Sequence, residues 1–137
     1  MYQEMVHKSV MKTIIAGGRD LLDYQIVLDA VQKSGYNISQ VISGGAKGTD
    51  SLGERYANEN DISLVIYPVD WKTHGVAAGP IRNRQMAEVA DSLIACWDGQ
   101  SSGTKNMIQQ AKTRGLKVYV HIYGKDQTNE RNLDQFM

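Results

Sequence analysis

The sequence predicts a three-layer α/β fold around a five-stranded, all-parallel sheet. Three observations carry this expectation. Short apolar runs alternate with stretches of helical periodicity, the order that places helices on both faces of a parallel sheet. The runs are nearly continuous in apolar residues instead of alternating, as burial on both faces requires. Polar, glycine-rich segments follow the first four runs, whereas the opposite ends carry ordinary turns such as KSGYN, NEND and KTRGLK.

In chain order, KTIIAG (12–17) reads as the first strand. Tyr24, Val27, Leu28 and Val31 then fall at i, i+3, i+4 and i+7, the stripe of an amphipathic helix that the glycine of KSGYN closes. SQVISGG (39–45) is the second strand. A helix over roughly 50–60 follows, with Ser51 and Glu54 in capping-box spacing and Leu52 and Tyr56 on one face. ISLVIYP (62–68) is the third strand, halted by Pro68. An irregular stretch, 69–79, leads to Pro80 as first residue of a helix that carries Met86, Val89 and Ala90 inward. DSLIACW (91–97) is the fourth strand, 98–104 a polar glycine loop, 104–114 a helix, and KVYVHIY (117–123) the last strand.

The 137 residues suit one domain, here 12–123, with an N-terminal extension (1–11) and a C-terminal tail (124–137) whose one structural suggestion is a short helix. Apolar residues make up 42% of the chain, enough for a proper core. Fifteen basic residues balance fifteen acidic ones, which argues against a dedicated duplex-DNA binder while leaving room for a local anion site. Cys96 is the one cysteine, so no intramolecular disulfide or cysteine-based zinc cluster forms, and its apolar setting suits a buried thiol. His7, His74 and His121 lack metal-ligand spacing, and no metal site is expected. No apolar run approaches the ~20 residues that span a bilayer, and no signal peptide opens the chain, so a cytoplasmic protein without membrane contacts is expected.

In sheets of this kind a ligand lies beyond the carboxyl ends of the strands, where strand order reverses. The polar segments all sit there: AGGRD (16–20), SGGAKGTD (43–50), YPVDW (67–71) with GPIRNRQM (79–86), and WDGQSSGT (97–104). Neither G-x-x-x-x-G-K-[ST] nor a G-x-G-x-x-G after the first strand is present, which excludes a P-loop NTPase and an ordinary dinucleotide dehydrogenase. Two glycine loops that each open a helix still offer free backbone N–H groups and a helix dipole to a phosphate. The candidate ligand-binding residues are therefore Gly17, Gly18 and Arg19; Gly44, Gly45, Ala46, Lys47, Gly48, Thr49 and Asp50; Arg82 and Asn83; and Asp98, Gly99, Ser102, Gly103 and Thr104. Arg82 falls on the buried stripe of its helix yet in the first turn, aimed at the strand ends, where a planar fork could hold phosphate or carboxylate. Lys47 reads equally as a phosphate partner or a solvated surface charge. Asp20, Asp50 and Asp70 share the edge and are the catalytic candidates, suited to ribose hydroxyls, general-base work or Mg²⁺, the one cofactor with any support. Asp50 reads equally as a helix cap, and Trp71 as a base-stacking platform or a residue packed under a loop.

AGGRD, SGGAKGTD, VDW, GPIRNRQM and DGQSSGT, in that order and spacing, resemble the YspA-like branch of the SLOG superfamily. These are Rossmann-like proteins related to YpsA, the Lonely Guy phosphoribohydrolases and DNA-processing protein A. The resemblance covers about Lys12 to Tyr123. It implies a five-stranded parallel core, a nucleotide-derived ligand across the glycine loops, and a homo-oligomer, a dimer, as an option. Lonely Guy enzymes cleave N-glycosidic bonds with a PGGxGTxxE loop. In DGQSSGTKNM, Gly103 and Thr104 match the GT, Gly99 stands near an earlier glycine, the proline is absent, and Met107 occupies the glutamate's place. The expected function is binding of a nucleotide or nucleotide-derived molecule by a sensor or sequestering module. The alternatives are a nucleotide hydrolase of phosphoribohydrolase type and a single-strand DNA binder. The zero net charge makes nucleic acid the least favoured partner.

Overall fold

The computed structural model describes residues 9–124; most of the N-terminal extension and nearly all of the tail, with the short helix suggested there, lie outside them. The elements are β1 (Val10–Gly17), α1 (Tyr24–Ser34), β2 (Asn37–Ser43), α2 (Thr49–Glu59), β3 (Ser63–Ile66), α3 (Trp71–His74), α4 (Ala78–Val89), β4 (Ser92–Trp97), α5 (Ser102–Thr113) and β5 (Lys117–Ile122). The strands form one sheet in the order β3-β2-β1-β4-β5, with each neighbouring pair parallel. The fold is thus Rossmann-like α/β, as the apolar runs predict. Strand order reverses between β1 and β4, and a crevice opens beyond their carboxyl ends.

Two-sided burial is visible in adjacent residues of β1. Ile14 and Ile15 point to opposite faces of the sheet, and both are fully buried. Ile14 packs with Met86, Leu93 and Met107 under α4 and α5, while Ile15 packs with Val27, Val41 and Ile94 under α1 and α2. Each such side chain contributes about 1.5–3 kcal/mol relative to exposure. The β1–β2 register shifts between Met11 and Lys12, where the Ser39 hydroxyl donates to the Met11 carbonyl at 3.1 Å.

Several local expectations are corrected. The 69–79 stretch is not irregular: α3 forms, with Asp70 at its N-cap accepting from Thr73 N at 3.1 Å, and a 3₁₀ turn over 75–77 runs into α4. Pro80 is the third residue of α4, not the first. Its missing N–H still falls among the first-turn donors that have no helical partner. Val89, the last residue of α4 and at the rim of its buried arc, is 42% exposed, and Ala87 takes the inward place. In α1 the buried line is Ile26, Val27 and Ala30, flanked by partly buried Tyr24, Leu28 and Val31. Gly35 closes that helix in the left-handed conformation (φ 70°), as KSGYN predicts. The capping box does not form, because α2 starts at Thr49 and places Ser51 inside the first turn. Ser51 Oγ donates to Ala46 O at 3.0 Å, and the Glu54 carboxylate accepts from Ser43 Oγ at 2.6 Å.

Candidate functional site

The loop after β1 is held at the switch point by its main chain. Gly18 N donates to Cys96 O at 3.1 Å, and Gly18 O accepts from both the backbone N–H and the hydroxyl of Thr49, each at 3.0 Å. The ends of β1 and β4 and the start of α2 are thereby joined through one glycine. Close approach dictates the residue types: a Cβ on Gly17 would collide with Cys96 O, and one on Gly48 with Gly18 O. Gly48 also has φ 75°, a conformation that favours glycine. Thr49 is fully buried in this joint, so its side chain serves the loop junction.

The loop after β2 folds over its own side chains. Gly45 N donates to Ser43 Oγ at 3.0 Å and Ala46 N to the Asp50 carboxylate at 3.1 Å. Asp50 is 5% exposed, and burial raises its carboxyl above the ordinary value against the opposing pull of the Ala46 N–H and Arg82. The first turn of α2 therefore already holds a carboxylate. Arg82, 8% exposed, reaches over the loop to donate through Nη1 to the carbonyls of Gly44 and Tyr67, and through Nε to Asn83 Oδ1 at 3.2 Å. Burial lowers its pKa from the ordinary value, with Asp50 opposing. Asn83 passes the link on, its Nδ2 donating to Asn106 Oδ1 at 3.0 Å and to Gly103 O at 3.4 Å, so α4 and α5 are tied at their open ends.

The start of α5 is different. It has no acidic residue in its first turn and no side-chain cap on its first N–H groups. Ser102, Gly103 and Thr104 line a cleft of about 740 Å³ together with Gly17, Arg19 and Asp20 from the loop after β1. Nothing lies within 4 Å of where a Gly103 Cβ would stand. Asp98 shapes the approach, its Oδ1 accepting from Gln100 N and Ser101 N at 2.8 Å. Of the two glycine loops, this one therefore offers the emptier anion cradle.

Asp20 and Asp50 line the cleft, as do Arg82, Asn83 and Ala46; Asp70 does not, and it caps α3 at the exposed surface. Gly44, Gly45 and Lys47 line a neighbouring depression of about 600 Å³, which shares Arg19, Ala46 and Trp71 with the main cleft. Gly99 (φ 85°) makes its turn outside both. Trp71, 54% exposed, stands at the mouth of the two instead of packing under a loop. Cys96 is fully buried, and burial pushes its thiol up to about 12. Among the described residues no group of three or more His, Cys, Asp or Glu side chains could hold a metal, and no helix is long and apolar enough to cross a membrane.

One participant escapes sequence reasoning altogether. Tyr123, just past β5, is 3% exposed and donates its hydroxyl to Asp20 Oδ1 at 2.9 Å. Its phenol is raised above the usual range, first by burial and then by Asp20. The separation of 103 positions puts this contact beyond any local pattern, and a tyrosine ending a strand carries no other signal.

The fold and this cleft define a doubly wound α/β protein with glycine loops and an open helix N-terminus at its switch point. The chain belongs to the YspA, cpYpsA-related SLOG family, whose family model matches residues 11–74. It is 31% identical over 117 residues to the Gene 61 protein of Mycobacterium phage D29, an overlap of 78% of this chain and 93% of that protein. Its fold is similar to DNA processing protein A (DprA) from Streptococcus pneumoniae, with a TM-score of 0.64 and 17% identity over 80% of this chain. The overlap spans 49% of the DprA chain, and the likeness is one of fold.

Proposed function

We propose that this protein binds a nucleotide or nucleotide-derived small molecule in the switch-point cleft, acting as a sensor or sequestering module in the cytoplasm. The observation that carries the reading is the uncapped N-terminus of α5, open to a cleft large enough for a mononucleotide and also lined by Arg19. A phosphate on the N–H groups of Ser102, Gly103 and Thr104 would meet the positive end of the helix dipole. Any Mg²⁺ would arrive with the phosphates of the ligand. The expected result is one-to-one binding of at least one nucleoside phosphate in calorimetric titration, with the unphosphorylated nucleoside much weaker. Equal binding of both, or none at millimolar concentration, rejects the reading. A native mass spectrum of freshly purified protein would add the identity of any co-purified ligand.

A second reading, hydrolysis of the nucleotide, is favoured by Asp20, whose carboxylate faces the same cleft. Met107, 1% exposed, supplies an apolar floor where the resemblance places a glutamate, so binding without turnover comes first. Release of free base from a bound monophosphate would reverse that order. Single-strand DNA binding draws on the likeness of fold to DprA alone, and the balanced charge opposes it.

A further inference from the structure

We infer that Tyr123 is a positioning residue that makes the cleft selective for ribonucleotides, by holding Asp20 as the acceptor for a sugar hydroxyl. The inference rests on the nucleotide reading above and names the sugar that this site takes. A carboxylate has two oxygens and accepts only. Oδ1 of Asp20 is taken by the Tyr123 hydroxyl, and Oδ2 has no protein partner among the described residues. Asp20 itself is exposed and lines the cleft, so it needs something to fix it; the phenol is buried and cannot follow it into solvent.

The tyrosine is in turn fixed. Tyr123 N donates to Trp97 O at 3.0 Å, which extends the β4–β5 ladder by one bond and sets the ring over the loop after β1. Its hydroxyl occupies the space above Gly18, where any Cβ would collide with it. Asp98, which begins the loop leading to α5, acts electrostatically on the same phenol, so Asp20 and the anion cradle sit around one group. Asp20 and the first residues of α5 line the same cleft, so a ligand with its phosphate on α5 can set its sugar against Asp20. A sugar laid over Asp20 displaces the water on its free oxygen, so an analogue that lacks the hydroxyl leaves a covered carboxylate without a partner.

The test is calorimetric titration with AMP, GMP, CMP and UMP and with their 2′-deoxy counterparts. Wild type should prefer the ribose form of whichever base binds by roughly ten- to a hundredfold, the worth of one hydrogen bond to a charged group. Tyr123→Phe should bring that ratio toward one while leaving the deoxy affinity nearly unchanged, and Asp20→Asn combined with it should add little further loss. Wild-type indifference to the 2′-hydroxyl, or an unchanged ratio in Tyr123→Phe, overturns the inference alone. An equal fall in both affinities would make Tyr123 a packing residue and also overturn it. Failure of wild type to bind either form removes the nucleotide reading and this inference with it. Should Tyr123→Phe not fold, Asp20→Ala at its exposed position carries the same comparison of ratios.

Discussion

Gly44 lies directly beneath the Arg82 guanidinium: a Cβ there would stand 2.7 Å from Cζ of the arginine and 2.8 Å from Oδ2 of Asp50. The end of β2, the first turn of α2 and the fifth residue of α4 thus meet at one point, and the arginine closes it. Read from the sequence, Arg82 is an anion receptor. In the structure much of its fork is spent on the carbonyls of Gly44 and Tyr67, and what remains faces the cleft.

Arg82→Ala should therefore destabilise the fold as well as weaken ligand binding. Two carbonyls lose a charged donor and Asp50 loses its nearest cation, a cost of about 3 kcal/mol. Thermal melts followed by circular dichroism should show a fall of roughly 10 °C for a domain of this size. Lysine should recover only part, because a single ammonium cannot serve the two carbonyls and Asn83 Oδ1 together, as the guanidinium does through Nη1 and Nε. A melting temperature equal to wild type in the alanine variant would show that the two carbonyls do not depend on it.

Gly48→Ala and Gly103→Ala should behave in opposite ways. At Gly48 the positive φ and the Gly18 carbonyl both reject a side chain, so the expected loss is several kcal/mol or failure to fold, about the scale of an overpacked core. At Gly103, in the first turn of α5, a methyl meets nothing, and replacing a helical glycine should leave stability unchanged or raise it by about 0.5–1 kcal/mol. That methyl nonetheless enters the cleft, and nucleotide affinity should fall. Urea titrations of both variants, with ligand titration of the second, decide the matter.

The Asp50 carboxyl is raised in the folded protein, chiefly by burial. A raised folded value means that the protonated form is favoured by folding. The stability from this group is fully present below the unfolded value and is lost as pH rises through the folded one. Measured across the acid range, the stability of wild type minus that of Asp50→Asn should decline with rising pH through that window. A flat difference would show a carboxyl that titrates as it does in the unfolded chain.

Cys96 should resist alkylation in the native protein at pH 8, since a thiol near 12 is ionised at only about one part in ten thousand. Denaturant should expose it, with modification tracking unfolding. Rapid labelling of the folded chain would contradict its complete burial.

The sheet was legible because two-sided burial writes itself as continuous apolar runs, and Ile14–Ile15 or Leu93–Ile94 admit no other reading. The glycine loops were legible as loops. What each glycine is for was not, because Gly17, Gly44 and Gly48 answer to atoms of Cys96, Arg82 and Gly18, far away in sequence. The same reason hides Tyr123. The helical turns over 71–77 are hidden for another cause: their residues are exposed, so no apolar stripe marks them, and the N-cap Asp70 is their one local sign.

The junction at Gly18 has a consequence for how the molecule opens in solution. Its amide is bonded across to β4 and its carbonyl anchors the start of α2, so neither the Gly18 nor the Thr49 amide is freed by fraying of a single loop. Their hydrogens exchange with solvent when neighbouring elements part together, and the two amides form a slow-exchanging pair at the edge of a mouth otherwise built of surface loops. A cleft of this construction keeps a stiff floor whatever its rim does.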